Sequence, residues 1–390
     1  MPRVRGPPVR DVLVVGAGPV GLLLATLLVQ EGADVVVWEK RRAAAAHSRA
    51  IGVHAPALDV LDRAGARDAV VDQAVLVRGG AAFSGGRRLG VLSFDAVSER
   101  NPFVAALPQH ETERVLVARL AGLDERALAR GVTLSALRQD RDGVEAVGTS
   151  VTERGCEVRE RARFVVGADG ARSVVRTLLG IPTVRREYRD TYVMGDFGDL
   201  TSAGSQAQVF LEPPGVVESF PLPRGRRRFV VRTSRRVLAP TAEQLAEVVR
   251  RRTRQPLAAE DCSMVSAFGV RRRLARRLVD RRVVLVGDAA HEVSPIGGQG
   301  MNLGWLDAAA LAPLLLRGSS DGVLDRLALE GWERARLASA RRAARISEAN
   351  MVLGRPASGV RRALRDAALR GVLGTGLSRQ LAALYAMRGA

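Results

Sequence analysis

One segment near the N-terminus constrains the fold more than any other. Val12–Val15 is a short apolar run of the kind that forms a strand buried on both faces. It leads into Gly16-Ala17-Gly18-Pro19-Val20-Gly21, then a helical stretch from Leu22 to Gln30 that stops at Gly32. A second run, Asp34–Trp38, follows and ends at Glu39, 21 residues after Gly18. This order of strand, glycine-rich turn, helix, strand and acid is the βαβ unit that binds a dinucleotide. Gly16 allows the tight turn, Gly18 lets the backbone approach a pyrophosphate at the helix N-terminus, and Gly21 lets helix and strand pack closely. Glu39 is placed to accept from a ribose 2′-hydroxyl and to repel a 2′-phosphate. The unit does not distinguish NAD from FAD.

The N-terminus also imitates a secretory signal, because Arg3, Arg5 and Arg10 precede an apolar run from Val12 to Val29. Gly16, Gly18 and Pro19 interrupt that run, and no other stretch has the uninterrupted apolar length of a membrane span. The chain of 390 residues carries a formal charge of +19, and Lys40 is the one lysine among its 60 basic residues. So lopsided a use of arginine, beside abundant alanine and glycine, points to coding bias rather than a selected basic surface. Basic clusters at Arg226–Arg228, Arg250–Arg252, Arg271–Arg273, Arg276–Arg277 and Arg281–Arg282 are expected on solvated helical faces. No aromatic stacking platform, zinc finger or basic zipper accompanies them, which argues against nucleic acid as a partner. Cys156 and Cys262 lie far apart without metal spacing, so a reduced, cytoplasmic protein with no metal site is expected.

Two later segments narrow the reading. Phe164–Ala168 is a strand running into Asp169-Gly170-Ala171-Arg172-Ser173, with Arg176 just beyond. Val283–Val286 is a strand leading into Gly287-Asp288-Ala289-Ala290-His291, then Pro295 and Gly297-Gly298-Gln299-Gly300-Met301-Asn302, and then a helix. In this order, with His47-Ser48-Arg49-Ala50 and Pro108-Gln109 as lesser matches, the segments closely resemble the single-component flavin monooxygenases of the para-hydroxybenzoate hydroxylase family. The Asn302-Leu303-Gly304 ending resembles its ubiquinone-biosynthesis branch.

The resemblance implies an α/β fold: a Rossmann-like, glutathione-reductase-type FAD domain made of discontinuous segments, with an inserted mixed β-sheet substrate domain and C-terminal helices. Residues 8–80, 101–180 and 280–352 are expected to form the FAD domain, 81–100 and 181–279 the substrate sheet, and 353–390 a C-terminal helical segment. Gly16, Gly18, Pro19, Gly21, Glu39 and Lys40 would hold the ADP half of noncovalent FAD. Arg49 would approach the pyrophosphate and Gln109 the ribityl chain. Asp169 and Gly170 belong to a motif serving FAD and indirectly NADPH, and Gly287 with Asp288 would meet the ribityl hydroxyls. Pro295, Gly298, Gln299 and Gly300 form the flavin-ring and oxygen loop, which Met301 and Asn302 extend. Arg172, Ser173 and Arg176 serve either that motif or a strand–helix joint, while His291 reads as structural.

In family terms NADPH reduces FAD, O2 adds at the flavin C4a carbon, and one oxygen atom passes to an aromatic or polyketide-like small molecule. NADPH would bind transiently on a groove, with Arg41, Arg42 and Arg49 as candidates for its phosphates. Phe197, Phe210, Phe220 and Trp305 are the candidate substrate-pocket aromatics, and the positive charge suits an anionic or carrier-bound substrate. A monomer or homodimer without stable membrane insertion is expected. A halogenase of this fold needs a pocket lysine, and Lys40 sits beside the ribose acid instead. An FAD-dependent reductase of an isoprenoid and a Baeyer–Villiger variant stay open; a basic nucleic-acid-binding protein is the remote alternative.

Between the motifs, residues 187–235 alternate as short strands, including Thr191–Met194, Ala207–Leu211 and Phe229–Arg232. Turns are expected at Pro213-Pro214-Gly215 and Pro223-Arg224-Gly225. The pattern predicts an amphipathic helix over 241–252 started by Thr241, a long helix over 322–352, and a basic helical cap from Val360 to Met387.

Overall fold

Apolar runs without polar alternation build the first sheet. In the computed structural model, which describes residues 9–43, 50–151, 155–321 and 325–387, Arg10–Val15 lies between Cys156–Gly167 and Val35–Glu39, parallel to both. Val12 sits opposite Phe164 on one side and Val35 on the other. Leu128–Arg130 extends the parallel sheet beyond Val35–Glu39, and Val283–Leu285 extends it beyond Cys156–Gly167. Val12, Leu13 and Val14 are fully buried, as expected for strands covered by helices on both faces. An antiparallel pair, Val132–Gln139 and Val144–Ser150, hangs from the same sheet.

Among the described residues the second sheet has eight strands, in the order 291–292, 264–275, 183–198, 226–233, 215–222, 207–212, 79–84 and 87–93. Every pairing is antiparallel except Ala207–Glu212 with Gly79–Ser84. The segments match the expected alternation, with turns at 213–214 and 223–225. One difference from the expected boundaries is His291–Glu292, which leaves the flavin-type segment to pair with Met264–Ala275. One face of this sheet packs Val193, Phe197, Phe210 and Phe229 against the helix Ala242–Thr253. Thr241 caps that helix, its hydroxyl accepting from Gln244 N.

The opposite face carries Tyr192, Met194, Leu211, Val216, Val230, Phe268 and Val270, together with Ile296 and Met351 from outside the sheet. A third, small sheet of Gly52–Val53, Val104–Ala106 and Val75–Val77 contributes Gly52, Val77, Val104 and Ala106 to the cavity lining. The helices Gln299–Asp321 and Arg326–Leu353 complete the core, and Gly359–Leu373 and Leu377–Tyr385 pack on the strand Arg87–Ser93.

The arginine clusters do not all lie on solvated helices. Arg226–Arg228 lies on a strand, and Arg227 and Arg228 are buried. Because side chains alternate along a strand, the two neighbours find separate partners, Asp199 at 2.9 Å and Asp196 at 2.6 Å. Arg271–Arg273 is likewise on a strand. Burial demands such pairing, because an unpaired charge inside a protein is strongly disfavoured. Part of the arginine excess is thus structural.

Candidate active site

The glycine-rich turn takes the shape that its residues require. Gly16 has φ +109°, and a Cβ there would stand 2.5 Å from Ala168 O. At Gly21 a Cβ would stand 2.0 Å from Gly16 O, so the helix Pro19–Gln30 can lie this close to the turn only with glycine at that position. A Cβ on Gly18 would meet no atom of the described residues within 4 Å. The space above Gly18 opens instead into a cavity of about 1520 Å³. Pro19 opens the helix, where its missing N–H costs nothing. This free volume at a helix N-terminus is where a pyrophosphate fits.

Glu39 is buried at the end of its strand, and one carboxylate oxygen accepts from Ala17 N at 2.9 Å. The other accepts from Arg41 N and Nε at 2.9 and 3.0 Å. Burial alone would raise its pKa, but the Arg41 side chain and the two backbone donors bring it below the usual carboxylate value. Arg41 is therefore committed to Glu39 rather than free for a NADPH phosphate. Arg42 is exposed, and Arg49, with His47 and Ser48, lies outside the described residues. Lys40 and Gln109 line the same end of the cavity. Gln109 donates to Glu113 at 2.7 Å, and burial raises the Glu113 pKa.

Asp169 explains much of the second motif. Its Oδ2 accepts from Val174 N and Val175 N at 2.6 and 3.1 Å, capping the short helix Val174–Leu178 together with Ser173. Its Oδ1 is buried without a partner among the described residues, and both Asp169 and Gly170 line the cavity. Arg176 is buried and donates to Ala289 O and Ala171 O, tying the second motif to the third. Ser173 and Arg176 thus hold a strand–helix joint, whereas Arg172 lines the cavity.

In the third motif, Asp288 points into the cavity while Gly287 packs against Val20. Burial, with Glu292 nearby, pushes the Asp288 pKa up to about 6. Its exposed surface faces the cavity interior rather than bulk water. His291 is fully buried against Asp307 and does not line the cavity. Burial opposes its protonated form, but the Asp307 carboxylate outweighs that and raises its pKa.

Pro295, Gly298, Gly300 and Met301 border the cavity between its two ends, but Gln299 and Asn302 do not. Asn302 is the fastener of this loop: its amide nitrogen donates to Gly52 O and Gly298 O, each at 2.9 Å, and its oxygen accepts from His54 N at 2.9 Å. Gln299 is 1% exposed with both side-chain polar atoms unpartnered among the described residues.

Beyond the loop the cavity continues into an apolar chamber under the second sheet. Phe220 lines it. Phe197 and Phe210 do not, because they project from the other face of their strands into the packing against Ala242–Thr253. Trp305 is also core, with its ring N–H donating to Pro19 O at 2.9 Å. Three of the four expected pocket aromatics are therefore structural.

Two lining residues carry no motif signal. His54 has a buried Nδ1 without a partner among the described residues, and burial pushes its pKa down to about 4, against the pull of a Gly298 hydrogen bond. Glu218 stands among the apolar residues of the chamber. An isolated histidine before Ala55-Pro56 and an isolated acid in a strand look ordinary in sequence; only the cavity gives them meaning.

Among the described residues no helix is long and apolar enough to cross a membrane, and no group of His, Cys, Asp or Glu could hold a metal ion.

The family model described as "FAD binding domain" matches residues 10–347. Among curated proteins, a rifampicin monooxygenase of Streptomyces venezuelae is 34% identical over 76% of this chain and 62% of its own length. A ubiquinone hydroxylase of Rhodospirillum rubrum is 32% identical over 79% of this chain and 72% of its own. The chain spans about three fifths of the length of the first of these relatives. A p-nitrophenol 4-monooxygenase from Pseudomonas putida superposes with a TM-score of 0.87 at 26% identity, over 96% of both chains. The anhydrotetracycline hydroxylase of Streptomyces rimosus gives 0.80 at 30% identity, over 98% of this chain and 77% of that one. The glycine turn, the acid beyond it and the two later loops meet at one cavity, and the match runs through all of them: the chain belongs to the FAD-dependent aromatic monooxygenase family.

Proposed function

We propose that this protein is an NADPH-consuming, FAD-dependent monooxygenase that places one oxygen atom from O2 on an aromatic or polyketide-like molecule. One observation carries the reading. A single continuous cavity joins the dinucleotide end, with Gly16, Gly18, Glu39 and Asp288, to an apolar chamber, with Met194, Leu211, Val216, Val230 and Phe268. The loop Pro295–Met301 lies between them.

Gly18 and the N-terminus of Pro19–Gln30 would receive the pyrophosphate of FAD, Glu39 its ribose, and Asp288 with Gln109 its ribityl hydroxyls. Asp169, whose buried Oδ1 has no partner among the described residues, also lines this end. FAD, once bound, supplies the redox chemistry and the activation of oxygen. The protein has to orient the substrate and keep water away from the reacting centre. Pro295, Gly298 and Gly300 would bring backbone against the flavin ring, with Gln299 behind them. Asn302 holds that backbone in place from behind through Gly298 O. The apolar chamber walls exclude water from the substrate side. Rifampicin, anhydrotetracycline and p-nitrophenol are named for its relatives; fused or substituted aromatic rings of that kind suit the chamber here.

The test is direct. Purified protein should be yellow with noncovalent FAD and should oxidise NADPH with consumption of O2 when a ring substrate is present. The product should gain 16 mass units. NADPH turnover that proceeds equally well without oxygen would replace this reading with the reductase.

A further inference from the structure

The chamber under the second sheet is mainly apolar, and one carboxylate stands in its wall among valines. On the strand Gly215–Leu222, Val216, Glu218 and Phe220 face the cavity, while Val217 and Ser219 face away. The strand neighbours of Glu218 are Val209 on one side and Val230 on the other, and both of these also line the cavity. No hydrogen bond or ion pair from a described residue reaches the Glu218 carboxylate. Arg228, two residues away across the strand pair, is engaged by Asp196 through two bonds at 2.6 and 2.8 Å. The Tyr385 hydroxyl is given to Asn350 at 2.8 Å, and Tyr192 has its hydroxyl buried without a partner among the described residues. Glu218 thus presents an unpaired acceptor to a mainly apolar space.

A carboxylate so placed is costly to the folded chain. Burial pushes its pKa up to about 7. A buried polar group without a partner destabilises the fold, and more so when charged. Natural sites that tolerate this cost recover it when a ligand arrives, and they reject ligands that leave the group unpaired.

We infer that Glu218 anchors the substrate: its carboxylate accepts a hydrogen bond from a hydroxyl on an otherwise apolar, uncharged fused-ring aromatic, and it disfavours carboxylated substrates. The inference rests on the proposed function, with FAD filling the other end of the cavity. It replaces the expectation of an anionic substrate at the ring-binding end, because the charged group that stands between Val209 and Val230 on the cavity face of the sheet, without an ion-pair partner among the described residues, is itself an acid. Arg172, Arg236 and Arg271 also line the cavity, and Arg271 is paired with Glu292 at 2.5 Å.

The experiment titrates FAD-loaded protein by calorimetry with 2-naphthol, its methyl ether 2-methoxynaphthalene, and 2-naphthoate. Wild-type protein should bind 2-naphthol at least tenfold more tightly than either analogue. Glu218→Ala should lose at least tenfold in affinity for 2-naphthol with its flavin content unchanged, and Glu218→Gln should bring 2-naphthoate close to 2-naphthol. Equal binding of 2-naphthol and its ether overturns the inference, as does failure of the wild type to bind 2-naphthol or an unchanged affinity in Glu218→Ala. The ligand series needs no variant, so a folding defect leaves the outcome legible. Flavin content and O2-dependent product are measured separately. Their failure would sink the proposed function, whereas a flat ligand series on yellow, oxygen-consuming protein would sink only the anchor.

Discussion

Three glycines in one turn make different demands, and replacing them separates folding from cofactor binding. Gly18 has ordinary backbone angles, φ −78°, and open space where a Cβ would go. Gly18→Ala should therefore leave the melting temperature of flavin-free protein within about 2 °C of wild type, while flavin content falls sharply, because the added methyl occupies cofactor volume rather than protein volume. At Gly21 the added methyl would collide with Gly16 O. Gly21→Ala should lose about 1–3 kcal/mol or more of stability by overpacking, read from the same melts. These glycines were legible in sequence because spacing and neighbouring runs identify them. The pocket aromatics were not. Phe197, Phe210 and Phe220 all sit in strand segments with buried residues on both faces, and alternation alone does not say which face meets a helix and which meets a cavity. His54 also belongs to this scale. Its pKa falls to about 4 in the folded protein, so the unfolded chain takes up a proton near pH 6.5 that the folded chain refuses. Stability must then fall as pH drops from about 6.5 to 4. Asp288 and Glu218, with raised pKa values, act in the opposite sense, so the comparison has to be made between variants. The melting temperature of His54→Asn should decline less over that pH range than that of wild type.

Among the elements, the loop between Val283–Leu285 and the helix Gln299–Asp321 depends most on a single side chain. Asn302 makes three hydrogen bonds that join this loop to Gly52 and His54 at the start of the small sheet. Its removal leaves Gly52 O, Gly298 O and His54 N short of a partner. Asn302→Ala should cost at least about 2 kcal/mol and lower FAD retention, measured by denaturant titration and by flavin absorbance after gel filtration. Sequence placed Asn302 in the cofactor loop but not its function, because two of its three partners, Gly52 and His54, lie about 250 positions away in the chain. The helix 242–253 was legible through its Thr241 cap and apolar periodicity, and 326–353 through periodicity alone, the expected start at 322–324 lying outside the described residues. The helices 359–373 and 377–385 were expected as a basic cap. Their cavity-facing residues Leu369, Val372, Leu373, Leu381 and Tyr385 make them part of the chamber wall as well. Nothing in a basic amphipathic pattern distinguishes a cap from a wall.

Over the whole molecule, charge and cavity tell different stories. The +19 charge suggested polyanions, yet its most buried arginines on the second sheet are bound to Asp196 and Asp199. Buried pairs of this kind are screened little by salt, so added salt should weaken the capture of anionic cofactors more than it weakens the fold. The continuous cavity has a further consequence. With FAD in one end, the flavin itself becomes a wall of the chamber, and a ring bound under Glu218 becomes a lid on the flavin. Two ligands that touch in this way must help each other equally, since the free energy of their coupling is one quantity seen from either side. A substrate that binds tenfold more tightly to the yellow protein than to the colourless one must raise the affinity for FAD tenfold in return. The loss of flavin on dilution thus becomes a way of finding the substrate: among candidate compounds, the one that keeps the protein yellow longest is the one that fits.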